Sequence, residues 1–277
     1  MLDLKNKITF RETSMSSLRC CLIVNVRDGE KYLHECLQSL TEQTFRNFDI
    51  FVFDNQSSDN TKTIVEHFTQ KFEEQVKYIP LQKYLELPQA RNFALSYIKN
   101  NHKNAYTHFS FCDADDMWDL DWLMNINEKA RNDAIIYTHG FELIGDRLNS
   151  IYIDHHIPKY SIFSGRVNLQ GTVVPFGLVK NESFFDESFC YCYDVDKWNE
   201  LYELGMNFVC VNKKLFYYRI HDGSLSASGF STVMRERWGM TNKYSRSRSL
   251  FIIKFIFYFI KHWVINRVEN FNADASS

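Results

Sequence analysis

The run Phe109-Ser110-Phe111-Cys112-Asp113-Ala114-Asp115-Asp116 turns an apolar, β-rich stretch into three carboxylates within four positions. Carboxylates at the C-terminal end of a strand suit a hard divalent cation. Mg²⁺ and Mn²⁺ take oxygen ligands, keep part of their water and commonly share their shell with substrate phosphates. The same residues also suit an acidic turn capping the next helix, where Asp is common. The surrounding elements decide between the two.

Cys20 to Val26 is a short apolar run that reads as a buried strand. Leu33, Cys36, Leu37 and Leu40 then recur at the spacing of one helix face. Asp49 to Phe53 is the next apolar run, ending in Asp54-Asn55, and Ser58 or Asp59 can cap a helix carrying Ile64, Val65, Phe68 and Phe72. A weaker strand lies at Val76 to Ile79, and Pro88 suits the first turn of a helix whose face is Ala90, Phe93, Ala94 and Tyr97. His108 to Cys112 reads as a strand and Asp119 to Ala130 as a helix. Alternating strands and helices with short connections predict an α/β fold, a parallel sheet with helices on both faces. Ligands of such sheets bind outside the C-terminal strand ends, where Asp54-Asn55 and Asp113 to Asp116 both fall.

Beyond about Asp133 the pattern becomes mixed. Short strands are expected at Ile135 to Thr138, Ile151 to Ile153, Tyr160 to Phe163, Thr172 to Val174, Phe208 to Val211 and Leu215 to Arg219, with a helix at Val195 to Leu204. No linker or repeat separates the halves, so 19–132 and 133–230 are read as two halves of one domain over 19–230, after a polar lead-in at 1–18 and before a helical tail at 231–277.

The 277 residues are 45% hydrophobic and 16% aromatic, enough for a sizeable core. The 32 basic and 34 acidic residues nearly cancel, so overall charge gives no case for a nucleic-acid partner. Seven cysteines, an odd number and several inside apolar runs, suggest reduced thiols in a cytoplasmic setting. Cys190 and Cys192 lack a second pair at zinc-site spacing and read as packing. The first residues lack the apolar core of a signal peptide.

Several segments, in order, resemble glycosyltransferase family 2: Cys21 to Leu33, Cys36 to Thr44, Val52 to Thr61, Ala90-Arg91-Asn92, Asp113 to Asp116, and Tyr218 to Ser226. The resemblance runs from about residue 19 to 226. It implies a GT-A fold, a Rossmann-like nucleotide-binding half joined to an acceptor half, and inverting transfer of a sugar from a nucleotide donor. On that resemblance Asp115 is the first choice as ligand of Mn²⁺ or Mg²⁺, with Asp113 holding the ribose or the metal's water shell. Asp116 would support them from behind or cap the following helix. His221 becomes a third metal ligand or a donor to the diphosphate, helped by Arg219 and Ser224.

Asn25, Asp28, Asp54, Asn55 and Arg91 are the expected donor-binding residues. The amides of Asn25 and Asn55 match a pyrimidine edge, since Asn offers a donor and an acceptor together. The family commonly has Pro or Thr at the place of Asn25 and Asp at that of Asn55; Asp28 stands where it has Asn. Arg91 would contact base or phosphate. Inverting transfer needs one general base. The resemblance puts it at Asp194, after Phe185-Asp186-Glu187, with Asp196 the nearby alternative and Tyr193 standing where the family has Glu.

The resemblance thus implies a UDP- or dTDP-sugar donor and a surface-glycan or lipid-linked acceptor. A non-catalytic nucleotide-sugar-binding or assembly protein on the same fold is the alternative, and a nucleotidyltransferase ranks last. The tail, Leu250 to Ile265, carries Lys254, Tyr258 and Lys261 on one helical stripe and grease elsewhere. Two lysines in a run shorter than the roughly 20 apolar residues of a spanning helix point to the surface of an inner membrane, or to packing on protein or a second subunit.

Overall fold

The computed structural model describes residues 18–145, 167–180, 183–221 and 230–243. Strands β1 (Cys20–Val26), β2 (Phe48–Asp54) and β4 (His108–Asp113) are apolar along most of their length because both faces of this part of the sheet are covered. Alternate residues of β1 enter two cores. Cys20, Leu22 and Val24 join the apolar stripe of α1 (Leu33–Thr41) and Val65 and Phe68 of α2 (Thr61–Lys71). Cys21 and Ile23 join Ala94, Leu95 and Ile98 of α3 (Leu87–Asn101) and Trp198 and Leu201 of α5 (Tyr193–Glu203).

The sheet order is β3-β2-β1-β4-β7-β6-β8-β5, with β3 at Val76–Pro80, β5 at Met117–Trp118, β6 at Ala134–Gly145, β7 at Thr172–Pro175 and β8 at Asn207–Ile220. The β3-β2-β1-β4 half is parallel, as the alternating pattern predicts. Beyond it β7 runs antiparallel to β4 and β6, β8 runs parallel to β6, and β5 antiparallel to β8. This mixed α/β sheet is the predicted fold class.

The differences have local causes. The helix expected from Asp119 shortens to α4 (Trp122–Asn127), because Met117 and Trp118 pair with Tyr217 and Phe216 and the Asp119 N–H donates to the Leu215 carbonyl. Phe208–Val211 and Leu215–Arg219 are one strand, β8, whose register against β6 shifts around Gly140. A Cβ on Gly140 would sit 2.8 Å from the Lys213 carbonyl oxygen, so the irregularity needs a glycine. Helix α2 has Asn60 at its N-cap with no side-chain capping bond; Asp59 instead accepts from the Thr61 N–H at 3.0 Å. Pro88 does open α3, where Gln89 accepts from the Glu86 N–H at 3.3 Å.

All seven cysteines are free thiols. Burial pushes those of Cys21, Cys36 and Cys112 well above the usual range, so they act as packing. Cys192 is buried as expected, but Cys190 is exposed. Helix α6 (Phe230–Lys243) belongs to a second compact unit. The strands expected at 151–153 and 160–163 and the greasy run at 250–265 lie outside the described residues. Among the described residues no helix is long and apolar enough to cross a membrane.

Candidate functional site

Parallel register sets Asn25 beside Asp113 and Val26 beside Asp54, so the C-terminal ends of β1, β2 and β4 meet at one edge. There they open on a crevice of about 520 Å³. Its walls come from the β1–α1 loop (Arg27, Asp28, Tyr32), the β3–α3 loop (Tyr84, Leu85), Asp113 and Asp115 after β4, and His221 after β8.

Asp113, Asp115 and Asp116 each bring an oxygen within 4.8 Å of the others. Asp113 accepts from Arg91 Nη2 at 2.6 Å on one oxygen and from Gln170 on the other. Desolvation raises its carboxyl above the usual range; Arg91 pulls it down and Asp115 pushes it up again. Asp115 Oδ2 lies 2.9 Å from His221 Nε2. Asp116 is buried and accepts from the Arg219 N–H at 2.8 Å, while its other oxygen is buried without a partner. Burial, then Asp113 and Asp115, push its carboxyl well up. Asp116 does not cap α4, whose N-cap is Asp121. An all-carboxylate cluster with one unsatisfied buried oxygen and an adjacent imidazole fits a hard divalent cation.

Arg219 differs from expectation. Its Nε donates to the Asp115 carbonyl at 2.8 Å, Nη2 pairs with Glu35, and the guanidinium lies 4.4 Å from the Tyr32 ring centroid. It fastens β8 to α1 and to the carboxylate turn instead of facing a phosphate. Ser224 lies outside the described residues.

The expected donor-binding residues divide. Asn25 lines the crevice; its Nδ2 reaches the Ala90 carbonyl at 3.4 Å and its Oδ1 is buried without a partner. Asp28 also lines it, in the left-handed region at φ 50°, and accepts from the Ser58 N–H at 2.7 Å. Asn55 also lines the crevice, but its amide clasps Leu85: Nδ2 donates to the Leu85 carbonyl at 2.7 Å and Oδ1 accepts from its N–H at 3.0 Å. The donor and acceptor expected to read a base edge are holding a loop. Asp54 lies off the crevice, buried, with its oxygens taken by the Tyr78 hydroxyl at 2.6 Å and the Ser57 N–H at 2.8 Å. Arg91, 3% exposed, points inward between the rings of Phe111 and Tyr193. It is a buried brace and not a surface contact to base or phosphate.

Asp194 sits in the first turn of α5, outside the lining of the crevice, and accepts from the Val195 N–H at 2.7 Å. Its neighbour Tyr193 accepts a hydrogen bond from Arg91 Nη1. Burial raises the Tyr193 hydroxyl, against the pull of Arg91. Asp196, the alternative base, is 1% exposed, whereas Asp194 is half-buried. Sequence reasoning missed Gln170, Tyr84 and the brace made by Asn92, which accepts from the Phe185 N–H at 2.8 Å and donates to Glu187 Oε1 at 2.8 Å. Only Asn92 had a signal, as part of Ala90-Arg91-Asn92; Gln170 and Tyr84 sit in loops without pattern.

Residues 21–190 match the profile of glycosyl transferase family 2. The chain belongs to this family. An uncharacterised glycosyltransferase of Rickettsia typhi is 26% identical over 214 residues, covering 73% of this chain and 64% of the relative. The Escherichia coli UDP-Glc:alpha-D-GlcNAc-diphosphoundecaprenol beta-1,3-glucosyltransferase WfgD is 24% identical over 78% of this chain and 82% of its own length. The crystal structure of S. aureus TarS 1-349 in complex with UDP-GlcNAc superposes with a TM-score of 0.63 at 19% identity, covering 84% of this chain and 69% of that one. That likeness gives the fold, GT-A.

Proposed function

We propose that this family 2 enzyme is a metal-dependent, inverting glycosyltransferase. It moves a sugar from a UDP- or dTDP-linked donor to a hydroxyl of a surface glycan or lipid-linked oligosaccharide. The observation that carries the reading is the convergence of Asp113, Asp115 and His221 with Asn25 on one crevice at the ends of parallel strands. UDP-GlcNAc in the S. aureus structure and a diphosphoundecaprenol acceptor in the name of the E. coli relative support the two substrate classes.

Asp115, with Asp113 and His221, would hold Mn²⁺ or Mg²⁺. Such an ion neutralises charge that builds on a departing diphosphate. Asn25 lines the crevice with Oδ1 buried and unpaired, an acceptor that a small turn of the side chain would bring to an N–H of the base. Arg27 and Tyr84, stacked 4.5 Å apart at the rim, offer flat surface to its ring. Asp194 takes the proton of the acceptor hydroxyl as that oxygen attacks the anomeric carbon from the face opposite the diphosphate. One displacement inverts the centre, so a single carboxylate base suffices. The greasy, basic run at 250–265 suits the cytoplasmic face of an inner membrane, where a lipid-linked acceptor would be met.

The test is product formation from a panel of UDP-, dTDP- and GDP-sugars with Mn²⁺ or Mg²⁺. Asp115→Ala and Asp194→Ala should remain folded and lose transfer; full activity in both would remove the assignment. Deleting 250–277 should release the enzyme from membranes, and a truncated protein that still pellets with vesicles would refute the anchoring.

A further inference from the structure

Two adjacent residues of α3 hold the start of α5 in different ways. Asn92 clasps the turn before it, through the Phe185 backbone and Glu187. Arg91 reaches the helix itself, donating from Nη1 to the Tyr193 hydroxyl in the residue next to Asp194. The same guanidinium donates from Nη2 to Asp113 Oδ1 at 2.6 Å, and Gln170 fixes the other Asp113 oxygen. Arg91 is almost wholly buried, with the rings of Phe111 and Tyr193 at 5.3 and 5.2 Å from its guanidinium carbon. A planar fork held between two rings has little freedom, so its two ends keep a set spacing.

We propose that Tyr193 is a positioning residue: through Arg91 it ties the first turn of α5, and with it Asp194, to the carboxylate end of β4. This rests on the glycosyltransferase reading, in which Asp194 is the base and Asp113 belongs to the donor-side cluster. A base must meet the acceptor hydroxyl while the donor is held by the other cluster, and small misplacement is expensive in rate. Asn92 fixes the approach of the chain to α5; the Tyr193 hydroxyl fixes the helix against the donor side.

The test compares wild type with Tyr193→Phe, which keeps the ring and removes only the acceptor of the Arg91 bond. In the full-length protein with Mn²⁺ and an active donor, kcat for transfer should fall about tenfold or more. Donor KM and UDP affinity should hold, while the melting temperature falls by a few degrees because Arg91 Nη1 loses its buried acceptor. Packing damage alone would lower melting temperature and weaken UDP binding together with turnover, and that pattern would overturn the proposal. Tyr193→Glu returns an acceptor to Arg91 without the ring and should restore part of kcat. A Glu variant no faster than the Phe variant would show that an acceptor for Arg91 does not recover the rate, and would overturn the tether. Unchanged kcat in Tyr193→Phe, beside an active wild type, refutes the tether alone; a wild type inactive with every donor refutes the enzyme reading on which it rests.

Discussion

Asn55→Ala separates a structural brace from a base-reading residue. The Asn55 amide makes two hydrogen bonds to the Leu85 backbone, at 2.7 and 3.0 Å, from a buried position. Each is worth about 1 kcal/mol net, and a backbone group left unpaired away from water adds to that, so the loss should be about 2–4 kcal/mol. In a domain of this size that lowers the melting temperature by about 5–10 °C. The loop so released carries Tyr84 and Leu85 into the crevice wall, so UDP affinity should fall along with stability. The loop keeps other struts, the Leu81 N–H to the Asp54 carbonyl at 2.8 Å and Gln56 Nε2 to the Gln82 carbonyl at 2.9 Å, which limit the damage. Asn55→Asp keeps the acceptor for the Leu85 N–H but turns a carboxylate oxygen toward its carbonyl, so it should not rescue. Thermal melts with and without UDP, beside calorimetric UDP titration, make the comparison. An Asn55→Ala variant that melts like wild type yet fails to bind UDP would refute the brace and return Asn55 to the base.

Three further outcomes follow from single sites. Tyr84 is 44% exposed at the crevice rim, so Tyr84→Ala should leave stability unchanged and weaken UDP binding by about 1 kcal/mol, several-fold in Kd, by titration; equal affinity would remove the stacking role. Burial lowers the His108 imidazole below its usual 6.5, so the unfolded chain binds the proton more readily than the fold does. Its neutral form therefore supports the fold above 6.5, and that support is lost as pH falls through the window below; urea denaturation should show His108→Gln with a flatter profile there. Gly140→Ala drives a Cβ against the Lys213 and Lys214 backbone and should cost about 1–3 kcal/mol in urea denaturation, since backbone there cannot swing aside as a side chain would.

What could be read along the chain was what repeats locally. The apolar runs of β1, β2 and β4, the 3–4 spacing of α1 and the prolyl start of α3 are set by neighbours within a few residues, and all appear where expected. The carboxylate run from Asp113 to Asp116 was legible for the same reason, and the parallel alternation placed it at a strand end. Contacts across the fold were not legible. Asn55 meeting Leu85, Arg91 meeting both Asp113 and Tyr193, and Arg219 turning to Glu35 join residues 22 to 184 positions apart or bridge separate loops. Composition cannot tell an arginine facing phosphate from one buried between two rings. An asparagine that reads a base and one that clasps a loop are likewise the same letter. Sheet pairing decides: β5 pairs with β8 before α4 can begin, and the Asn25–Asp113 register brings an amide beside a carboxylate. Residue types thus determined which chemistry was available, and tertiary structure decided which polar groups face the crevice and which are consumed in holding it open, because a hydrogen-bonding group already paired in the fold has little left to offer a ligand.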